Sequence, residues 1–337
     1  MTTAADIDAG ARRAGDSPRA EDSLRAQEAI RYHYDVSNTF YQLWLDRSLA
    51  YSCAMPAAPD DSLEHAQQRK LDFHLNAVGI GPAAGVGAAP AASIGPPPGL
   101  GPVPGSGSST RVRSLLDVGC GWGAVLRLAR DRGVPRVVGL TLSDEQAAHL
   151  DADRGPGFEV HTRDWRDYTP DAPFDGIISI GAFEHFARPE DTAAERIERY
   201  REFFGRVRDW LTDDGVLSLQ TIAYANMPRE KASAFIQEEI FPAAELPTLA
   251  EITAAAEGIL ETRLVRNDRL DYAWTFEQWA ARLRARRDEA RALVGPEVVA
   301  RYERYLRMNA LGCRMGKICL YRLVFRPYSR AYFRSDV

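Results

Sequence analysis

The feature that most restricts this chain is the run Ser114-Leu115-Leu116-Asp117-Val118-Gly119-Cys120-Gly121-Trp122-Gly123. A short apolar run bounded by glycine reads as a buried strand. Glycines at its carboxyl end let the backbone turn sharply and come close to a ligand. Ala124 to Arg132 reads as the helix that follows. The alternation then repeats: RVVGLTL as a strand, Ser143 as the cap of a helix beginning DEQAAHL, then FEVHTRDW and FDGIISIGAFEHF as further strands. A serine side chain at such a cap accepts from free amides of the first turn. Glu195 to Leu211 reads as an amphipathic helix and VLSLQTIAY as a fifth strand. Strand–helix alternation of this kind builds a parallel α/β sheet. From Glu230 to Leu264 the pattern breaks into what reads as a mostly helical insertion. Two helices follow, in WTFEQWAARLRARRDEARAL and EVVARYERYLRMNALGC, and KICLYRLVFRP reads as a last strand.

These signals divide the chain. Residues 1–22 carry acids and no apolar core, so they read as a disordered tail of a cytoplasmic protein rather than a signal peptide. Residues 23–80 form an N-terminal helical segment, and 81–110 a stretch of mostly Gly, Ala, Pro and Ser. That stretch holds too little apolar surface to order itself and reads as a tolerated insertion, the other reading being a mobile lid. Residues 111–330 make the ligand-binding domain, with a cap insertion at about 228–295. A net charge of -5 provides no basic field for nucleic acid. Cys53, Cys120, Cys313 and Cys319 have no metal-binding spacing.

The glycine spacing is G-x-G-x-G, tighter than the dinucleotide fingerprint G-x-G-x-x-G. With Asp117 ahead of it, the turn at Gly119, Gly121 and Gly123 suits a nucleoside carrying a methionine tail. The second strand ends at Thr141-Leu142 without the acid that usually holds a ribose, which makes Gln146 the candidate for that role. Asp164 and Trp165, at the end of the third strand, are placed to flank adenine. The competing reading is a glycine turn that serves packing alone.

The run YHYDVSNTFYQLWLDRSLAYSCAM (Tyr32 to Met55) resembles the N-terminal signature of the cyclopropane fatty acid synthase and mycolic acid methyltransferase family. LLDVGCGWGA, VVGLTLSDEQ, ISIGAFEHF, IFPAAELPTLAEI and DYAWTFEQWAARL resemble that family in the same order. The resemblance implies a Rossmann-like class I methyltransferase fold with a mainly parallel seven-stranded sheet. It implies S-adenosylmethionine as cofactor and an unsaturated lipid or carrier-bound acyl chain as substrate, with peripheral contact to the inner membrane surface. Tyr34, Tyr51 and Ser52 join the cofactor residues. Methyl transfer to a double bond leaves a carbocation, which aromatic faces stabilise; Tyr34, Tyr51, Phe183, Tyr224, Tyr272 and Trp274 are candidates. The family's proton acceptor is held to be bicarbonate, and its pocket maps onto Cys53, Glu184, the Ile222 backbone and Tyr272. Gln220 departs from the pattern, since the family usually has histidine there. Glutamine still forms hydrogen bonds but carries no proton. His185 reads as a structural or substrate-side group, and His33 as a structural group or one that orders the N-terminal segment over the cofactor. The basic stretch from Arg282 to Arg291 reads as a solvated, ion-paired helix face, the other reading being a dock for an anionic lipid surface or a carrier-protein phosphate. A small-molecule C- or N-methyltransferase on the same scaffold is the alternative, and a non-catalytic cofactor-binding protein the third reading.

Overall fold

The computed structural model describes residues 38–82, 112–241 and 244–328. Tyr34 and His33, the tail, and nearly all of the Gly/Ala/Pro stretch lie outside them. Seven strands form one sheet: β1 (Ser114–Val118), β2 (Arg136–Thr141), β3 (Phe158–Thr162), β4 (Phe174–Ile180), β5 (Leu211–Tyr224), β6 (Leu260–Asn267) and β7 (Ile318–Pro327). Their order is β3-β2-β1-β4-β5-β7-β6. The first five are parallel, and β7 runs antiparallel between β5 and β6. This is a Rossmann-like α/β sheet. Strand order reverses between β1 and β4, so a crevice opens at their carboxyl ends, where ligands bind in folds of this kind.

Helices α1 (Asn38–Gln42) and α2 (Leu63–Ala77) precede the sheet; α3 (Ala124–Asp131) and α4 (Asp144–His149) follow β1 and β2; α5 (Ala193–Trp210) and α6 (Leu249–Ala256) follow β4 and β5. Ser143 caps α4, accepting from the Gln146 amide. Thr192 with Glu195, and Thr248 with Glu251, form reciprocal capping boxes on α5 and α6. Such caps stabilise a helix by about 1 kcal/mol and fix where it begins. One apolar layer lies between the sheet and α5–α6, another between the sheet and α2–α3. A third core joins the N-terminal segment to α7 (Arg269–Ala285) and α8 (Arg287–Arg314). Helix α8 is broken at Gly295-Pro296, where Gly295 has φ 83°.

The stretch read as helical from Glu230 to Leu264 differs in the structure. It holds a 3₁₀ turn, a single π turn at Ile236–Ile240 and α6, but its end is strand β6. Glu261, Thr262 and Arg263 of β6 face solvent at the sheet's edge. An edge strand with charges on it lacks the apolar run that marks a buried one.

Candidate functional site

Two cavities adjoin at the carboxyl end of the sheet, sharing Tyr51, Ser52, Gly181 and His185 as their common wall. The first lies over the glycine turn. Asp117, Gly119, Gly121, Thr141, Leu142, Gln146, Asp164 and Trp165 line it together with Tyr51 and Ser52. A Cβ on Gly121 would meet no atom within 4 Å, and φ is 55° there, so the glycine leaves space that a ligand can fill. Gly123 is a correction. It does not border the cavity, and a Cβ there would come within 2.4 Å of Leu150. It is the left-handed residue that starts α3, so its role is packing.

Buried Asp117 has an Oδ1 with no partner in the protein. Burial pushes its carboxyl up to about 7, against the pull of Lys70. An orphaned carboxylate oxygen at the foot of a nucleoside-sized crevice fits a ligand that brings donors or a positive charge. Gln146 Oε1 accepts from Thr141 Oγ1 at 2.7 Å, leaving its amide nitrogen for a ribose. Asp164 is held by the Arg166 amide at 2.8 Å, and the Arg166 guanidinium lies 4.6 Å from the Trp165 ring.

The roof is a strap, residues 46–55. Both Asp46 oxygens are used inside it, accepting from the Ser48 and Ala50 amides at 2.9 and 3.0 Å. This tight turn holds Leu49 at φ 56°, a backbone region that side chains other than glycine rarely adopt, and Leu49 borders the cavity. From α2, Gln67 Nε2 donates to the carbonyls of Ala50 and Ser52, and Lys70 Nζ reaches Ser52 Oγ at 3.1 Å. Burial brings Lys70 down to about 8. Lys70 also borders the cofactor cavity. Sequence reasoning missed Lys70 and Leu49, since neither sits in a motif; only the position of a lysine amid the apolar face of α2 marks the first.

The second cavity is twice the size of the first, about 280 against about 140 Å³. Its wall is mostly apolar or aromatic, with Ile222, Tyr224, Ile236, Phe241, Tyr272 and Tyr305 among its residues. It runs from Glu184 and Gln220 to Leu311 and Met315, which are exposed on the surface. Lys231 and Lys317, both exposed, also line it, and with Lys70 they are the chain's only lysines.

Glu184 sits in the turn after β4. Its Oε1 accepts from the Ile222 amide at 2.6 Å, and its buried Oε2 has no partner. Burial raises the carboxyl to about 7. The Ile222 amide, expected to face an anion, is thus occupied by Glu184 itself. Glu184, Gln220, Ile222 and Tyr272 do border one cavity, but Cys53 does not. Cys53 is fully buried in the strap, its Sγ donating to the Ala54 carbonyl at 3.2 Å. Burial pushes its thiol up to about 12, so it stays neutral. His185 borders both cavities, and desolvation brings it down to about 4, an uncharged ring beside the junction.

Of the proposed aromatics, Tyr51, Tyr224 and Tyr272 line the second cavity. Phe183 does not; it stacks on Tyr200 at 4.4 Å in the core under the sheet. Trp274 is also turned away, donating from Nε1 to the Pro59 carbonyl. The basic stretch is ion-paired: Arg282 with Glu64, Arg286 with Glu289, Arg287 with Glu303, and Arg291 with Asp288. Among the described residues no helix is long and apolar enough to cross a membrane.

Known proteins resemble this chain in sequence and fold. The family described as mycolic acid cyclopropane synthetase matches residues 21–86 and 110–323, on either side of the Gly/Ala/Pro stretch. Cyclopropane mycolic acid synthase 2 of Mycobacterium leprae is 34% identical over 325 residues, covering 88% of this chain and 93% of its own. The crystal structure of mycolic acid cyclopropane synthase CmaA1 complexed with SAH and CTAB superposes with a TM-score of 0.71 at 32% identity, covering 89% of this chain and 98% of that one. The cyclopropane synthase MmaA2 from Mycobacterium tuberculosis gives 0.72 at 31%, with the same coverage. Similarity of this extent, running through both cavities, makes the chain a member of the mycolic acid cyclopropane synthetase family and an S-adenosylmethionine-dependent methyltransferase.

Proposed function

We propose that this enzyme methylates the double bond of an unsaturated acyl chain and that loss of a proton closes a cyclopropane ring. The observation that carries the reading is the junction of the two cavities. A polar crevice with an orphaned Asp117 meets an apolar tunnel at Tyr51, Ser52, Gly181 and His185, with Glu184 facing the tunnel. The cofactor supplies an electrophilic methyl on a sulfonium. Asp117, Gly119, Gly121 and Gln146 are suited to hold its nucleoside and methionine parts, with Asp164 and Trp165 beside adenine.

The alkene carbon forms a bond to the methyl as the carbon–sulfur bond breaks, leaving a carbocation on the acyl chain. The ring faces of Tyr51, Tyr224 and Tyr272 stabilise that charge, and the apolar wall keeps out water that would quench it. The methyl carbon then gives up a proton as the ring closes. Glu184, near its midpoint of protonation, is placed to orient a small anionic base, bicarbonate in this reading, by sharing a proton with it. Its free Oε2 is the atom available for that contact. Tyr272 lines the same space. Cys53, buried in the strap and neutral, takes no part in this reading.

The tunnel also separates this reading from a small-molecule methyltransferase, for which a short, closed, polar pocket is expected. An opening flanked by exposed Leu311 and Met315 and two lysines suits entry of an acyl chain whose head group or carrier stays outside. The test is mass spectrometry of lipids from a host expressing the chain. A gain of about 14 mass units, one CH₂, in unsaturated species supports the reading. An unchanged lipid profile, with methylation of a small metabolite instead, overturns it.

A further inference from the structure

Gln220 and Arg322 sit directly opposite each other on the antiparallel pair β5–β7, so their side chains share one face of the sheet. Arg322 is fully buried, an unusual position for a guanidinium. Every donor it uses has an acceptor: Nε donates to Gln220 Oε1 at 2.8 Å, Nη1 pairs with Asp268, and Nη2 donates to the carbonyls of Cys53 and Ala54 at 3.0 and 3.2 Å. On the other side, His74 of α2 brings Nε2 to 3.3 Å from the same Gln220 oxygen, and its Nδ1 lies 2.8 Å from Ser218 Oγ.

Arginine has donors only, which settles which end of the Gln220 amide faces it. The oxygen must point to Arg322. His74 Nε2 must then carry its proton, and Nδ1 accepts from the Ser218 hydroxyl. What remains of Gln220 is its NH₂ group, on a side chain that borders the Glu184 cavity. No described residue accepts from that nitrogen.

We propose that Arg322, seconded by His74, is a positioning residue that fixes Gln220 as a permanent hydrogen-bond donor into the Glu184 pocket. The inference rests on the reading that this pocket holds an anionic base. It explains how such a base is held although Glu184 takes the Ile222 amide: the amide of Gln220 supplies the replacement donor. The titratable and charged groups around this amide are His74 from α2 and Arg322 from β7, which contact it, Asp268 ahead of α7, which pairs with Arg322, Lys70 from α2, which acts on His74, and Glu184 and Tyr272, which line the same cavity. Burial and the Arg322 charge hold His74 well below its ordinary range, so it stays neutral. The donor at this position therefore does not titrate.

The experiment uses the full chain with S-adenosylhomocysteine bound and bicarbonate as probe. In the ¹⁵N–¹H spectrum the Gln220 side-chain NH₂ is assigned by its loss in Gln220→Glu, and bicarbonate is titrated in. The expected result is a saturable shift of that NH₂ pair in the native protein, lost or strongly weakened in Arg322→Lys. Lysine presents one point charge and cannot hold Asp268, two strap carbonyls and Gln220 together. Because a buried arginine variant can fail to fold, Gln220→Glu is the second arm. Its carboxylate keeps the Arg322 partner but cannot donate, so the KM for bicarbonate should rise about tenfold or more, the scale of one lost hydrogen bond with added charge repulsion. S-Adenosylmethionine affinity should not move. A native enzyme indifferent to bicarbonate defeats the anion reading and this inference with it. A bicarbonate-dependent enzyme whose NH₂ signals do not respond, or whose Gln220→Glu form keeps the native KM, defeats this inference alone.

Discussion

The wall of the cofactor cavity comes mostly from the ends of β1 to β4, each contributing the few residues that leave its strand. The Glu184 pocket draws on the strap, the turn after β4, the carboxyl end of β5 and the stretch from Met227 to Leu246 that follows it, α7, α8 and β7. In the first region backbone shape does the work. A turn at Gly119–Gly121, with positive φ at both glycines, is specified by adjacent letters of the sequence. In the second, side chains from positions as distant as His74, Gln220 and Arg322 must meet, and their hydrogen bonds decide which atom faces the ligand. A site built from local backbone should fail wholly when its backbone changes. A site built from a network should lose function by degrees.

The largest effect that sharpens this contrast is Gly121→Val. A branched side chain at φ 55° in the nucleoside's space should abolish cofactor binding by calorimetry, and unchanged affinity would break the assignment. Glu184→Gln comes next. It should lower turnover by about 100-fold or more, the scale of a general base or its partner, while cofactor affinity stays within about twofold. An equal loss of both would show that the two regions are not separable.

Third is the pH dependence of cofactor binding. Without ligand, Asp117 titrates at about 7, its burial favouring the neutral acid. Donors brought by the cofactor favour the carboxylate, so binding should release a proton. Affinity should fall by up to about tenfold per unit as pH drops below about 7, and Asp117→Asn should flatten the profile. Gln220→His is expected to be milder. Beside Arg322 a buried imidazole is pushed below its usual range and must be neutral to accept from the guanidinium. Activity should persist near neutrality and fall on the acid side, where the native enzyme has no such limb from this position. Inactivation at all pH values would mean a pocket rebuilt for another acceptor. Smallest is deletion of Ala83 to Gly107, outside the described residues and lacking any titratable or aromatic group. Turnover should stay within about twofold; a large loss with the fold intact would make the stretch part of the active site.

The same contrast explains what could be read from the letters alone. Strand–helix alternation and the glycine turn exposed the sheet and most of the cofactor cavity, because periodicity and turn chemistry are local. Gly123 was misassigned within that motif: spacing shows that a glycine is required, not whether a ligand or Leu150 occupies the space. Strand β6 escaped because its exposed charges at the sheet edge carry no buried-strand pattern. Glu184, Gln220 and Tyr272 came from the family resemblance, and no spacing rule would have joined them. Arg322 lay in an apolar strand as an apparent exception, and His74 in a helix whose buried face only the fold reveals. A buried arginine in a central strand is a signal that a polar partner faces it, but the sequence does not say which.

The account's central claim is that a cofactor methyl ends on the former double bond after one of its hydrogens leaves. The most direct measurement supplies the purified enzyme with S-adenosylmethionine bearing a CD₃ group, together with vesicles of an unsaturated phospholipid. The account predicts an acyl chain that gains one carbon, keeps two deuterons and releases the third to solvent. S-Adenosylhomocysteine release with the intact CD₃ on a head group, or with no label in the lipid, would contradict it.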